Sequence, residues 1–196
     1  MTVVLATRNP GKIEELRRIL APYGIELVGL KPDFEPGPET APDFAGNALT
    51  KAREAAAHTG LPCVADDSGL AVDALNGMPG VLSARWAGRH GDDLANLELL
   101  LGQIADVPDE RRTARFVCAA AAFLPDGREL VVEETMEGRI IDAPRGTNGF
   151  GYDPIFVPDG ETRTSAELTS AEKDAISHRG KAFRALAPLL AEALRG

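Results

Sequence analysis

Apolar and polar positions along this chain follow two periods, one close to two residues and one close to three and a half. "TVVLAT" (2–7) is an apolar, β-branched run that stops at "RNPGK" (8–12). In "KIEELRRILAPYG", Ile13, Leu16, Ile19 and Leu20 fall on one helical face, and Gly24 supplies the stop. "IELVGL" (25–30) predicts a second strand, so the chain opens strand, loop, helix, strand. Residues 31–46, "KPDFEPGPETAPDFAG", are too rich in Pro, Gly and acid for sustained regular structure. "NALTKAREAAAHTG" (47–60) then predicts an Ala-rich helix ended by Gly60, with "LPCVAD" as the next strand.

The second half repeats the alternation with one change. "NGMPGVLSARWAGRHG" (76–91) reads as a long loop, and a helix is predicted from about Asp93 to Ile104. "TARFVCAAAAFLPDGRELVVEETMEGRII" (113–141) reads as two strands joined at "PDG", a hairpin and therefore an antiparallel element. "DAPRGTNGFGYDP" is a Gly-rich loop. Thr169 with Glu172 forms a capping-box pattern opening a short helix, and "SHRGKAFRALAPLLAEAL" is a last amphipathic helix with Pro188 as a candidate kink. The expected class is α/β, a mixed central sheet flanked by helices on both faces, in a single domain over 1–196.

Composition narrows the function classes. The chain is 44% hydrophobic and 26% charged, with a formal net charge of −9. That charge argues against a nucleic-acid-binding face but leaves room for a small anion gripped by a few clustered cations. No apolar run reaches membrane-spanning length, and "MTVVLAT" is too short for a signal-peptide core, so no membrane partner and a cytoplasmic location are expected. Cys63 and Cys118 sit in apolar surroundings and read as buried reduced thiols; His58, His90 and His178 lack zinc-site spacing.

Four stretches have the residue types for phosphate chemistry. "ATRNPGK" (6–12) lies at a strand-to-helix turn, where backbone N–H groups and the Lys12 ammonium suit an anion. It is not a P-loop, because the first glycine is missing and Ile13 follows the lysine. A plain turn with a surface lysine is the alternative.

"VADDSGLAVDAL" (64–75) places Asp66, Asp67, Ser68 and Gly69 between two apolar runs. This is either a polar turn between strands or a site for a hard cation and a water. In an extended strand Asp66 and Asp67 would point to opposite faces, so only one of them could face a given ion. "GTNGFGYDPIF" (146–156) holds Phe150 between glycines, with Tyr152 and Asp153 behind. It is a base-stacking loop or a strand entry with a core aromatic. "EKDAISHRGKA" (172–182) gathers Lys173, His178, Arg179 and Lys181, a phosphate grip or a solvated basic face. Lys51 is a further isolated cation.

Taken together and in order, "ATRNPGK", "FAGNALTKA", "ADDSGLAVDALNGMPGVLSAR", "GFGYDPIF" and "EKDAISHRGKA" closely resemble the inosine-triphosphate-pyrophosphatase-like family of XTP/dITP diphosphatases. The resemblance spans nearly the whole chain. It implies two lobes around a deep cleft, a homodimer, and Mg²⁺-dependent hydrolysis between the α- and β-phosphates of ITP, dITP and XTP. The products would be a nucleoside monophosphate and pyrophosphate. A non-catalytic nucleotide-binding or regulatory module on the same scaffold is the alternative.

Residue roles follow from the same resemblance. Thr7, Arg8, Asn9, Pro10, Gly11 and Lys12 would hold the triphosphate, with Lys51 and Lys173 as further phosphate partners. Asp67 would be both metal ligand and proton acceptor, with Ser68 a substrate contact. Phe150, Gly151, Tyr152 and Asp153 would line the base pocket, and His178 and Arg179 would read the 6-keto edge. The second metal carboxylate would be Glu39, with Glu35 as the competing choice. The chain departs from the family pattern at Gly46, where Glu is common, and at Arg8, which replaces a smaller residue.

Overall fold

Six strands form one mixed sheet in the computed structural model, which describes residues 1–7, 10–31 and 33–196. They are β1 (Thr2–Leu5), β2 (Glu26–Gly29), β3 (Cys63–Val72), β4 (Thr113–Phe123), β5 (Glu129–Ile140) and β6 (Phe156–Pro158), in the order β2-β1-β3-β4-β5-β6. β1 pairs in parallel with β2 and β3, whereas β5 and β6 are antiparallel. The helices are α1 (Pro10–Leu20), α2 (Phe44–Thr59), α3 (Asp93–Gln103), α4 (Ser170–Ile176) and α5 (His178–Ala193). This is the mixed α/β class that the sequence predicts.

The chain divides into two compact units. The first comprises Met1–Asp67, Cys118–Glu134 and Arg179–Gly196; the second comprises Ser68–Val117 and Thr135–His178. Two of the candidate motifs, "DDSG" and "SHRG", are thus each split by a unit boundary.

In the first unit, strand alternation sorts residues between two helical layers. Val3, Leu5 and Val64 pack with Leu16 and Leu20 of α1 and with Phe183, Leu186 and Leu190 of α5. Val4 and Cys63, one residue out of step, pack with Ala55 and Ala56 of α2. Side chains alternate across a strand, so each face of this part of the sheet receives its own helix layer. In the second unit, Leu70 and Val72 of β3, Phe116 of β4, Ile140 of β5 and Phe156 of β6 form a core with Leu97 and Leu100 of α3.

Several boundaries differ from expectation for local reasons. "DDSG" is not a turn: β3 runs straight through it, and both carboxylates take protein hydrogen-bond partners. The α2 helix begins at Phe44, three residues earlier than the apolar pattern suggests. Asp43 caps it by accepting a hydrogen bond from Gly46 N at 2.7 Å, a device that stabilises a helix by about 1 kcal/mol. The loop expected over 76–91 contains a short 3-10 helix, Gly80–Arg85.

The hairpin, capping-box and thiol expectations hold. Leu124 N donates to Arg128 O at 3.0 Å across the "PDG" turn. The capping box at α4 is formed on both sides, Thr169 N to Glu172 Oε2 at 2.8 Å and Glu172 N to Thr169 Oγ1 at 3.2 Å. The last helix, α5, continues through Pro188. Cys63 and Cys118 are buried free thiols. Among the described residues, no helix is long and apolar enough to cross a membrane.

Candidate active site

The strand that separates the two helix layers of the first unit also separates its two aspartates. Asp66 shares the parity of Val64 and meets α1 and α5. Lys12 Nζ donates to both of its carboxylate oxygens at 3.1 Å, and Arg179 Nε donates to Oδ2 at 3.1 Å. Burial alone would raise the Asp66 pKa, but Lys12, Arg179 and Lys51 outweigh it and hold the carboxyl far below the usual range. Asp66 is therefore a permanent anion that locates two cations.

Asp67 shares the parity of Cys63 and meets α2. Asn47 Nδ2 donates to Oδ2 at 3.0 Å, and Lys51 Nζ lies 3.3 Å from Oδ1. The same ammonium lies 2.6 Å from Glu39 Oε1, so one cation is shared by two carboxylates. Burial pushes the Asp67 pKa up; Lys51 opposes that and the Glu39 charge reinforces it, leaving the carboxyl above its ordinary value. Burial pulls Lys51 down, yet Asp67 and Glu39 prevail and keep it protonated. The two consecutive carboxylates are thus shifted in opposite directions by their surroundings.

The α2 helix builds this arrangement with one face. Asn47, Lys51 and Glu54 are spaced i, i+4, i+7 and turn toward the acidic segment. Asn47 Oδ1 accepts from Ala41 N at 2.9 Å, and Glu54 Oε2 accepts from Gly37 N at 2.9 Å, tying down the segment on both sides of Glu39. Gly46 permits the approach. A Cβ there would lie 2.7 Å from the Ala41 Cβ and 3.0 Å from Asp43 Oδ1. Glu35 lies elsewhere, lining a pocket of about 480 Å³ with Ala6, Thr7, Leu30 and Pro36.

The oxygen donors of Asp67 and Glu39 suit a hard divalent cation, and the carboxylates already converge on one positive charge. Among the described residues no group of three or more His, Cys, Asp or Glu could hold a metal. An ion held by these two carboxylates would draw its remaining ligands from water and phosphate oxygens, as Mg²⁺ commonly does.

The second unit holds the aromatic motif. Asp153 is buried, and its Oδ2 accepts from Phe150 N at 3.0 Å and pairs with Lys173. Gly151 N donates to Asp93 Oδ2 at 2.9 Å, and the Tyr152 hydroxyl donates to Ser83 O at 2.7 Å. Phe150 itself is 62% exposed. His178 is buried and stacks on Phe116, ring centroids 5.1 Å apart with 13° between planes.

Sequence-predicted residues thus fall into two sets. Lys12, Glu39, Lys51, Asp67 and Arg179 are brought together in the first unit. Arg179, expected beside His178 at a base edge, is held there by Asp66. Ser68 belongs to the second unit, as do Phe150, Gly151, Tyr152, Asp153, Lys173 and His178. Arg8 and Asn9 lie outside the described residues; Thr7 lines the pocket with Glu35, and Pro10 and Gly11 open α1. Residues not anticipated are Asn47 and Asp93; Asp66, left by the strand alternation as a support or secondary ligand, anchors Lys12 and Arg179. Only Asn47 carried a sequence signal, its helical spacing from Lys51.

The sequence matches the Ham1 family over residues 3–189, and the chain belongs to that family. It is 63% identical to the dITP/XTP pyrophosphatase of Streptomyces coelicolor over 196 residues, covering 98% of each chain. The crystal structure of a nucleoside-triphosphatase, the dITP/XTP pyrophosphatase of Mycobacterium abscessus, superposes with a TM-score of 0.81 at 62% identity, covering 96% of this chain and 100% of that one. The Staphylococcus aureus Ham1 protein gives a TM-score of 0.88 at 40% identity, covering 97% and 98%.

Proposed function

We propose that this chain is a dITP/XTP pyrophosphatase, hydrolysing non-standard purine triphosphates (ITP, dITP, XTP) to the monophosphate and pyrophosphate and so clearing them from the nucleotide pool. The observation that supports this most is Asp67. It is buried, raised in pKa, oriented by Asn47, and shares one cation with Glu39. A simple nucleotide-binding module has no need of such a group, and the Streptomyces coelicolor and Mycobacterium abscessus relatives are pyrophosphatases.

In this reading Asp67 takes the proton from the attacking water. Thr7, Arg8, Asn9, Pro10, Gly11 and Lys12 hold the triphosphate, and Lys12 is pre-set for that task by Asp66. Lys51 moves from its carboxylate partners toward phosphate oxygens. Asp67 and Glu39 would hold Mg²⁺, which when bound would offset phosphate charge and acidify a water. Ser68 contacts substrate, Phe150 stacks on the base with Gly151, Tyr152 and Asp153 shaping its surroundings, and His178 and Arg179 read the 6-keto group. Fixed cations aimed at the phosphate oxygens supply most of the transition-state stabilisation.

The whole chain would act as one two-lobed catalytic domain, as a homodimer in the cytoplasm, with no nucleic-acid or membrane partner. A substrate panel tests the proposal: dITP and XTP with Mg²⁺ should turn over far faster than dATP, dGTP or dCTP. Equal turnover of all five would reject the substrate assignment.

A further inference from the structure

Lys173 is expected from the family resemblance to reach phosphate, but its ammonium is committed elsewhere. It pairs with Asp153 Oδ2 and stands 5.0 Å from the centroid of the Phe150 ring. That is within the roughly 6 Å range of cation–π attraction. The same Asp153 oxygen accepts the Phe150 backbone N–H at 3.0 Å. One buried carboxylate oxygen therefore fixes both the backbone that carries the ring and the cation that lies over it.

The neighbourhood is built around this oxygen. Gly149 has φ +72°, and a Cβ there would lie 2.1 Å from Asp153 Oδ2. Asp93 holds the next backbone N–H, and the formed capping box sets the helix that carries Lys173. With the residue 62% exposed, much of Phe150 stays open to a flat partner despite this anchoring. An ammonium over one face draws the ring's negative π-density toward itself, which favours stacking on an electron-rich purine. Asp153 on one side and the Phe150 ring on the other together hold that ammonium at the aromatic loop.

We propose that Lys173 is a positioning residue for base recognition, making Phe150 a stacking platform rather than gripping phosphate. This rests on reading the chain as a purine nucleotide pyrophosphatase that stacks its base on Phe150. Binding of inosine, IMP and α,β-methylene ITP by the full-length protein separates the two roles. A platform predicts that Lys173→Met weakens all three by the same factor, about threefold to tenfold. It also predicts little further loss when Lys173→Met is added to Phe150→Ala.

A loss that grows with phosphate number, one that persists undiminished in the Phe150→Ala background, or no loss at all would overturn the assignment. Lys173→Gln gives the same reading if the methionine variant does not fold. Wild-type protein that binds inosine but fails to hydrolyse ITP would instead reject the enzymatic reading and leave the platform standing.

Discussion

Asp66 and Asp67 are consecutive in β3 and take different hydrogen-bond partners: Asp66 takes Lys12 and Arg179, while Asp67 takes Asn47 and Lys51. The strand's alternation gives each carboxylate its own helix layer, and the layers give them opposite electrostatics. The first is locked as an anion. The second is raised above its ordinary range, chiefly by burial.

Asp67→Asn keeps the shape of the side chain and removes the proton acceptor. Turnover of dITP should fall at least a hundredfold, since a positioned base contributes about 10²–10⁴. Far-ultraviolet circular dichroism and the melting midpoint should change little.

Asp66→Ala should act on stability first. It strips the anion from two cations held by a buried carboxylate, a loss of about 3–5 kcal/mol in denaturant titration. The pH sign follows from the depressed pKa. The Asp66 contribution is complete above the unfolded carboxyl range, near pH 4, and is lost only as pH falls below it toward the folded value. The stability gap between wild type and Asp66→Asn should therefore be full at pH 7 and narrow only in acid.

Asn47→Ala breaks the link from Ala41 N to Asp67 Oδ2 at its middle. It should destabilise the fold by about 1–3 kcal/mol. It should also raise the Mg²⁺ concentration that gives half-maximal rate, because Glu39 and Asp67 lose a shared positioning group.

Metal binding should distinguish the two candidate glutamates. Mg²⁺ should raise the melting temperature of wild type and of Glu35→Gln, but not of Glu39→Gln. A shift lost in Glu35→Gln and retained in Glu39→Gln would move the metal to the pocket beside Thr7.

Gly149→Ala should damage the aromatic loop alone. The new Cβ collides with Asp153 Oδ2 and sits at positive φ. KM for dITP should rise about tenfold or more, with a smaller change in kcat.

Much of this fold is legible in the sequence because it rests on local rules. The helix face of α1, the "PDG" hairpin and the capping box at Thr169 are all short-range signals. Strand pleating alone is enough to send Asp66 and Asp67 to opposite faces. Partners across long sequence separations leave no such local signal. "DDSG" reads as either a turn or a cation site until Lys12, Lys51 and Arg179 pair with it, and Asn47 donates to it, within a strand. Likewise, "EKDAISHRGKA" looks like one basic cluster, yet Lys173, His178 and Arg179 contact Phe150, Phe116 and Asp66 respectively.

The central claim is that Asp67 directs water to the bond between the α- and β-phosphates. Following dITP turnover with Mg²⁺ by phosphorus NMR tests it most directly. Stoichiometric dIMP and pyrophosphate, abolished by Asp67→Asn, is the predicted result. Orthophosphate and dIDP, or pyrophosphate release that survives Asp67→Asn, would contradict it.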